Sequence, residues 1–153
     1  MSAQNKPPVD MKLEVVLLGV SDVDRAKAFY EKAGFHLDLD TDLPGGMRVV
    51  QFTPDGSECS ITFGVGFPQA APGSYVNTYL VVPDIEVAHA ELRERGVEIS
   101  DVYHWSESGQ TPGVDPNRGD YGSYANFQDP DGNSWLVQEV PSRATAPQNH
   151  PED

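Results

Sequence analysis

An α+β fold of two tandem β-α-β-β-β modules is what this sequence predicts, and three observations predict it. Leu18 to Phe35, LGVSDVDRAKAFYEKAGF, reads as a strand end, a turn, an amphipathic helix and a glycine stop. The chain writes this stretch again 62 residues later, without a gap, as LVVPDIEVAHAELRERGV from Leu80 to Val97. Leu18 then matches Leu80, Asp22 matches Asp84, Ala26 matches Ala88 and Gly34 matches Gly96. Further on, Pro54-Asp55-Gly56 returns as Pro130-Asp131-Gly132, now at a spacing of 76. A long-period repeat fixes architecture before any local reading, and two copies make a duplicated module rather than a solenoid.

Taken in order, residues 1–10 are polar with Pro7-Pro8 and are expected to form a flexible leader. Lys12 to Val20 alternates, with Val16, Leu18 and Val20 on one face and Leu13, Val15, Leu17 and Gly19 on the other. Both faces are mostly apolar, so the strand is expected to be covered on both sides. Ser21 or Asp22 caps the helix that follows, because a side-chain oxygen there accepts from the free N–H groups of the first turn. Val23, Ala26, Phe29 and Tyr30 recur at helical spacing and form its buried stripe, and Gly34 supplies the left-handed residue that ends it.

Phe35 to Asp40, Met47 to Phe52 and Cys59 to Phe63 complete the first module as three strands, separated by the turns TDLPGG and Thr53-Pro54-Asp55-Gly56. The second module opens with a strand from Tyr75. Its helix from Asp84 buries Ile85, Ala88 and Leu92, and Gly96 stops it. Val97 to Tyr103 is a strand. His104 to Tyr121, rich in Gly, Pro, Ser and Asp, is expected to hold the fourteen residues by which the spacing grows, and to act as a lid or stay disordered. Tyr124 to Gln128 and Trp135 to Val140 close the module. One domain over 11–140 results: module 1 at 11–66, linker 67–74, module 2 at 75–140, then a flexible tail at 141–153.

Composition bounds the function. Net charge is −14 with a pI near 4.4, which argues against nucleic acid and anionic membranes; solubility is the plain reading of the charge, favoured because the carboxylates are spread along the chain, and a cationic ligand is the sharper one. No apolar run approaches the roughly 20 residues that span a bilayer. MSAQNKPPVD carries no apolar signal core, and Cys59 alone makes neither a disulfide nor a cysteine metal cluster. A reducing cytoplasm is the expected location.

The order of these motifs resembles the vicinal oxygen chelate superfamily, which includes glyoxalase I, bleomycin-resistance proteins and extradiol dioxygenases. The residues that carry the resemblance are Ser21 to Ala26 with Phe29-Tyr30, Gly34-Phe35, Asp84-Ile85, and Asp129-Pro130-Asp131-Gly132-Asn133. It covers roughly residues 11 to 140. It implies that the sheets curve into a cup, with helices outside and the ligand inside, and that two chains pair as a homodimer. It also implies a divalent metal held by a His on each module's first strand and a Glu on its last. The His positions, seven residues before the helix-start Asp, are Val15 and Asn77 here. The Glu position is Leu136, and the spacing of 76 carries it back to Ser60. Val15, Ser60, Asn77 and Leu136 do not make a metal site, since such ions take imidazole or carboxylate ligands. Glu14 and Glu139 stand one residue away, but strand parity turns both to the opposite face.

No metal and no cofactor are therefore expected. The strand faces suggest a cup lined by Val15, Leu17, Ser60, Thr62, Asn77, Tyr79, Leu136 and Gln138, a mixed apolar and hydrogen-bonding surface suited to a small organic molecule. His104 and Trp105 at one root of the long loop, and Tyr124 with Tyr121 at the other, are expected to flank it. Arg48 and Gln51 lie on opposite faces of one strand, and parity alone does not say which enters the cup. His89 is expected to be solvated; His36 and His150 have no visible partner. Three functions stay open. One is a metal-free, resistance-type protein that sequesters a cationic or aromatic molecule. Another is a metal-dependent or divergent lyase, isomerase or dioxygenase, whose metal-free version has His104 as the candidate general base. The third is an accessory subunit whose cup only supports a partner.

Overall fold

The computed structural model describes residues 6–144. The first five residues of the leader and the tail from residue 145, His150 included, lie outside them. The first module consists of β1 (Val15–Leu17), α1 (Val23–Ala33), β2 (His36–Leu43), β3 (Met47–Thr53) and β4 (Ser60–Val65). The second consists of β5 (Thr78–Val82), α2 (Ile85–Glu94), β6 (Tyr103–Ser106), β7 (Gly109–Pro112), β8 (Ser123–Gln128) and β9 (Ser134–Glu139). A 3-10 turn follows at Pro141–Arg143, where the backbone N–H of Ser142 donates to Asp120. The sheets are ordered β1-β4-β3-β2 and β5-β9-β8-β6-β7, with one parallel pair in each, β1 with β4 and β5 with β9.

Local chemistry explains the two helices. Asp22 accepts from the N–H of Arg25, Gly34 sits at φ 95°, and α1 buries Val23, Ala26, Tyr30 and Ala33. Phe29, expected in that stripe, is only partly buried beside the core. Asp84 caps α2 through Glu86 and Val87, but α2 fully buries Ile85 alone. Ala88 and Leu92 are half-buried, less than their spacing suggested, because the surface under them is a cleft. The inner faces of both sheets, with α1 between them, make one aromatic-rich core. Tyr30 lies 5.3 Å from Phe35 and about 6 Å from Phe52, Phe63 and Trp135, ring centre to ring centre.

The register corrects two expectations. Val16 pairs with Ile61, and Thr78 pairs with Trp135; Leu17 pairs with Thr62, and Tyr79 with Leu136. The first strands are thus related by 62, as the sequence indicated, but the last strands by 74 rather than 76. Ser57 to Cys59 lengthens the first module's turn by two residues. Thr62, not Ser60, is the counterpart of Leu136. The second correction concerns residues 104–121. The first part of that stretch is an ordered hairpin, β6 and β7, turning at Glu107-Ser108 and adding a fifth strand. The remainder is tied down by Arg118, whose guanidinium donates twice to Glu139.

Candidate functional site

Each sheet has one face on the core and one facing away, and strand parity assigns the residues. On the first module, Val15 and Leu17 stand beside Ser60 and Thr62, their partners across β1 and β4. Gln51 pairs with Thr62 and shares this outer, cup face; Arg48 faces the helix side, bound to Asp40 and Asp24. Val15 and Leu17 remain 39% and 38% exposed, so β1 is not covered on both sides.

The polar groups here form a directed chain. Thr53 donates to Asp38, which leaves its oxygen to accept from Ser60. Gln51 donates to the same Asp38 oxygen at 3.1 Å, and Thr62 donates to Gln51 at 3.4 Å. Asp38 reaches this face because the pairing of β2 with β3 slips between Leu37 and Leu39, and a bulge re-aims a side chain. The hydrogen bond from Thr53, and then that from Gln51, holds its carboxyl below the usual carboxylate range.

The second module presents a different face. Tyr79 and Val81 stand beside Leu136 and Gln138. Tyr103 stacks on Tyr124 with ring centres 5.6 Å apart, and Trp105 meets Tyr103 edge-on at 6.2 Å. Tyr103 donates to Asn126 at 2.6 Å, and Asn126 donates to Asn77 at 3.4 Å. Burial raises the Tyr103 hydroxyl above its ordinary value, so it stays a donor. Asn77 is a left-handed residue at φ 51°, just before β5, and its N–H donates to Ser134. A polar cleft of about 710 Å³ opens beside Asn77 and Asn126, with Lys32 and Glu98 in its walls. Tyr121 contributes a carbonyl that accepts from Tyr124 and from Gln138.

Val15, Ser60, Thr62, Tyr79, Leu136, Gln138, Tyr124 and Trp105 therefore share cup faces. His104 does not. It pairs with Ser123 on the core side, is 8% exposed, and its Nδ1–H donates to the Gly113 carbonyl at 2.8 Å. It is a buried pin for the loop after β7, not a wall of the cup. His89 is half-buried, and its Nε2 donates to Ser100. Two functional candidates were missed. Asn126 was visible by parity, two residues after Tyr124. Asp38 was not, because a bulge inverts parity.

The metal positions supply no imidazole and no carboxylate: they hold Val15, Asn77, Leu136 and, by register, Thr62 beside Ser60. Among the described residues no group of three or more His, Cys, Asp or Glu side chains converges as a metal cluster would. Glu139 lies on the core side, fully buried, accepting from Arg118 and from the N–H of Ile85. The donor set thus does not fit a divalent ion. Among the described residues no helix is long and apolar enough to cross a membrane.

Two such mixed sheets, built from a repeated module and carrying polar and aromatic side chains outside the core, define a class. The chain belongs to the Glyoxalase/Bleomycin resistance protein/Dioxygenase superfamily, whose family model matches residues 12–137. Among solved structures it is similar to an antibiotic binding protein from Streptomyces sp. CB03234, at 30% identity and a TM-score of 0.67, covering 88% of this chain and 99% of that one. It is also similar to a glyoxalase/bleomycin resistance protein from the same Streptomyces, at 32% identity and a TM-score of 0.62, covering 83% and 99%. A superfamily member from Sphaerobacter thermophilus DSM 20745 shares 28% identity with a TM-score of 0.63, covering 85% and 98%. No curated protein matches.

Proposed function

We propose that this chain binds a small organic molecule on its cup faces without a metal ion, as a sequestering protein rather than a metalloenzyme. The observation that carries this reading is the content of the four metal positions. Where the superfamily resemblance implies imidazole and carboxylate, the chain places Val15, Asn77, Leu136 and, by register, Thr62, with the hydroxyl of Ser60 beside it. Aromatic rings at Tyr103, Tyr124 and Trp105 supply contact area, and Asn126, Gln138 and Gln51 supply orientation. The similarity to an antibiotic binding protein supports the same direction. His104 is tied to Gly113 inside the core, which leaves the enzymatic alternative without its candidate base.

Both cup faces are open in the single chain, with Tyr79 56% and Trp105 59% exposed. Among the described residues no hydrogen bond joins one cup face to the other. A homodimer that sets the cup face of one module against that of a partner covers both. The lone Cys59 suits a reducing, cytoplasmic setting.

The test has three readings on purified, metal-replete protein. Thermal unfolding in the presence of cationic antibiotics and aromatic metabolites should rise with at least one of them. Elemental analysis should find less than about 0.1 divalent metal per chain, against the three or more protein ligands a metal would need. Light scattering should give twice the chain mass. Stoichiometric metal, or no shift with any compound, removes the proposal.

A further inference from the structure

The two cup faces differ in one respect that bears on what they bind. Among the described strand residues, the cup-side positions carry no lysine and no arginine, and a single carboxylate, Asp38. The other acidic residues of the strands face the helix side. Asp40 is neutralised there by Arg48 at 2.9 Å and by Lys27 at 2.9 Å. Glu139 is neutralised by Arg118 at 2.6 Å. Among the described residues Asp38 has no such partner: its one basic neighbour within 4 Å is His36, at 3.8 Å and charged only when protonated.

The hydrogen bonds point the same way. Thr53 and Gln51 both donate to Oδ2, so the other oxygen, Oδ1, keeps its acceptor capacity. The chain that begins at Ser60 ends at Asp38, so every hydroxyl in it is oriented by this carboxylate. Those bonds keep Asp38 ionised through the neutral range. Its side chain is one-quarter exposed, which leaves it reachable yet partly shielded from water. A carboxylate fixed by two donors, on the edge strand β2 across the sheet from apolar Val15 and Leu17 and with no lysine or arginine against it, is complemented by a positive charge.

We propose that Asp38 is the cation-recognising residue of the cup, and that the ligand carries an ammonium, amidinium or similar positive group seated against its free oxygen. This rests on the reading that the cup binds a small molecule, and it narrows that reading to a chemical class. The overall charge of −14 would draw such a ligand toward the protein; Asp38 is where the charge would be met.

The test uses a matched pair of planar probes, the 1-methylquinolinium cation and neutral 1-methylnaphthalene, titrated at pH 7.5 and low salt by calorimetry or tryptophan quenching. The wild-type chain should bind the cation about tenfold or more tightly than the neutral probe, the factor expected for one charge-assisted contact. Asp38→Asn should abolish that preference and leave the neutral probe's affinity unchanged, and Asp38→Glu should restore part of it. Carbon NMR of wild-type protein gives a second reading free of mutational damage: the Asp38 carboxyl resonance should move with the cation and not with the neutral probe. Equal binding of the two probes, or a preference that survives Asp38→Asn, overturns the role of Asp38 while leaving the cup as a binding site. Failure of both probes to bind overturns the cup reading, and Asp38 with it.

Discussion

The starts of α1 and α2 are related by the repeat, yet they are held by different parts of the molecule. At α1 the anchor comes from the other module. Ser21 donates through its N–H and its hydroxyl to Asp131, and Arg25 reaches the same carboxylate at 3.3 Å. One turn further, Trp135 donates to Tyr30, Tyr30 donates to Asp129 at 2.8 Å, and Asn133 donates to Asp129 and to Gly19. At α2 the anchor comes from its own module: Glu139 accepts from the N–H of Ile85 and is paired with Arg118. The counterparts of Ser21, Arg25 and Tyr30 are Pro83, Val87 and Leu92, none of which can repeat the bonds. An apolar cleft of about 430 Å³, floored by Leu80, Val82 and Val137, lies there instead. The duplication thus kept one seam as a polar latch and let the other open. The sequence DPDGN, one of the stretches that carry the resemblance to the superfamily, is here the latch.

The largest effect expected from this contrast is at Asp129. Its two oxygens accept from Tyr30, from Asn133 twice and from the N–H of Asp131, and the residue is 4% exposed. Asp129→Ala leaves four donor groups without this partner, three of them buried, and unfolding in urea should show a loss of about 3–4 kcal/mol, near 1 kcal/mol for each. Asp55, in the corresponding turn of the first module, where the repeat sets it against Asp131, is exposed. Asp55→Ala should change stability by less than about 0.5 kcal/mol, as surface substitutions do. Similar losses at both positions would mean that the seams are equivalent after all.

How much of this was legible follows from how far each interaction reaches. The caps Asp22 and Asp84 and the stop at Gly34 act within one turn, so their residues announce them. The cup-face assignment of Val15, Thr62, Tyr79 and Leu136 was legible because alternation is a property of the strand itself. The offset of 74 was hidden because Pro-Asp-Gly aligns cleanly in both turns, while Ser57 to Cys59 adds length only afterwards. Asp38 was hidden by a bulge, which obeys no alternation. The Glu139–Arg118 pair was hidden because its partners lie 21 residues apart with no pattern to join them. His104 was misplaced because its loop root is a β-strand, and a strand sends His104 and Trp105 to opposite faces.

Arg118 ranks next in effect. Its guanidinium neutralises a carboxylate that is fully buried, while its own side chain is 38% exposed. Arg118→Ala should cost about 2–3 kcal/mol, less than a wholly buried pair because water reaches the arginine side. The pH dependence sharpens the assignment. The hydrogen bond from Arg118, ahead of the opposing desolvation, holds Glu139 below its ordinary value in the folded chain. A depressed folded pKa gives stability that is present above the unfolded value, about 4.3, and is lost as pH falls through the folded one. Wild-type protein should therefore lose stability on acidification below pH 4 or so. In Arg118→Ala only the N–H of Ile85 still opposes the burial of Glu139, and the slope between about pH 4 and 6 should flatten or reverse.

The smallest expected effect compares one position across the repeat. Tyr30→Phe removes a single oxygen from the latch, leaving Trp135 without an acceptor and Asp129 without one donor. About 2 kcal/mol should be lost, because the bond to Asp129 is made to a carboxylate. Burial and the neighbouring Asp129 push the Tyr30 hydroxyl well above its usual range, so it remains a donor and this loss should be the same at pH 6 and pH 9. Leu92 is the same position in α2, half-buried over the open cleft. Leu92→Ala should cost about 1 kcal/mol, well under the 2–5 kcal/mol of a packed core leucine, since half its area already meets water. A loss of 3 kcal/mol or more at Leu92 would show that a partner covers the cleft in solution, because only a buried leucine loses so much. Repeating Leu92→Ala across a protein dilution series would then separate the two cases, since a partner's contribution fades with concentration and a core contribution does not.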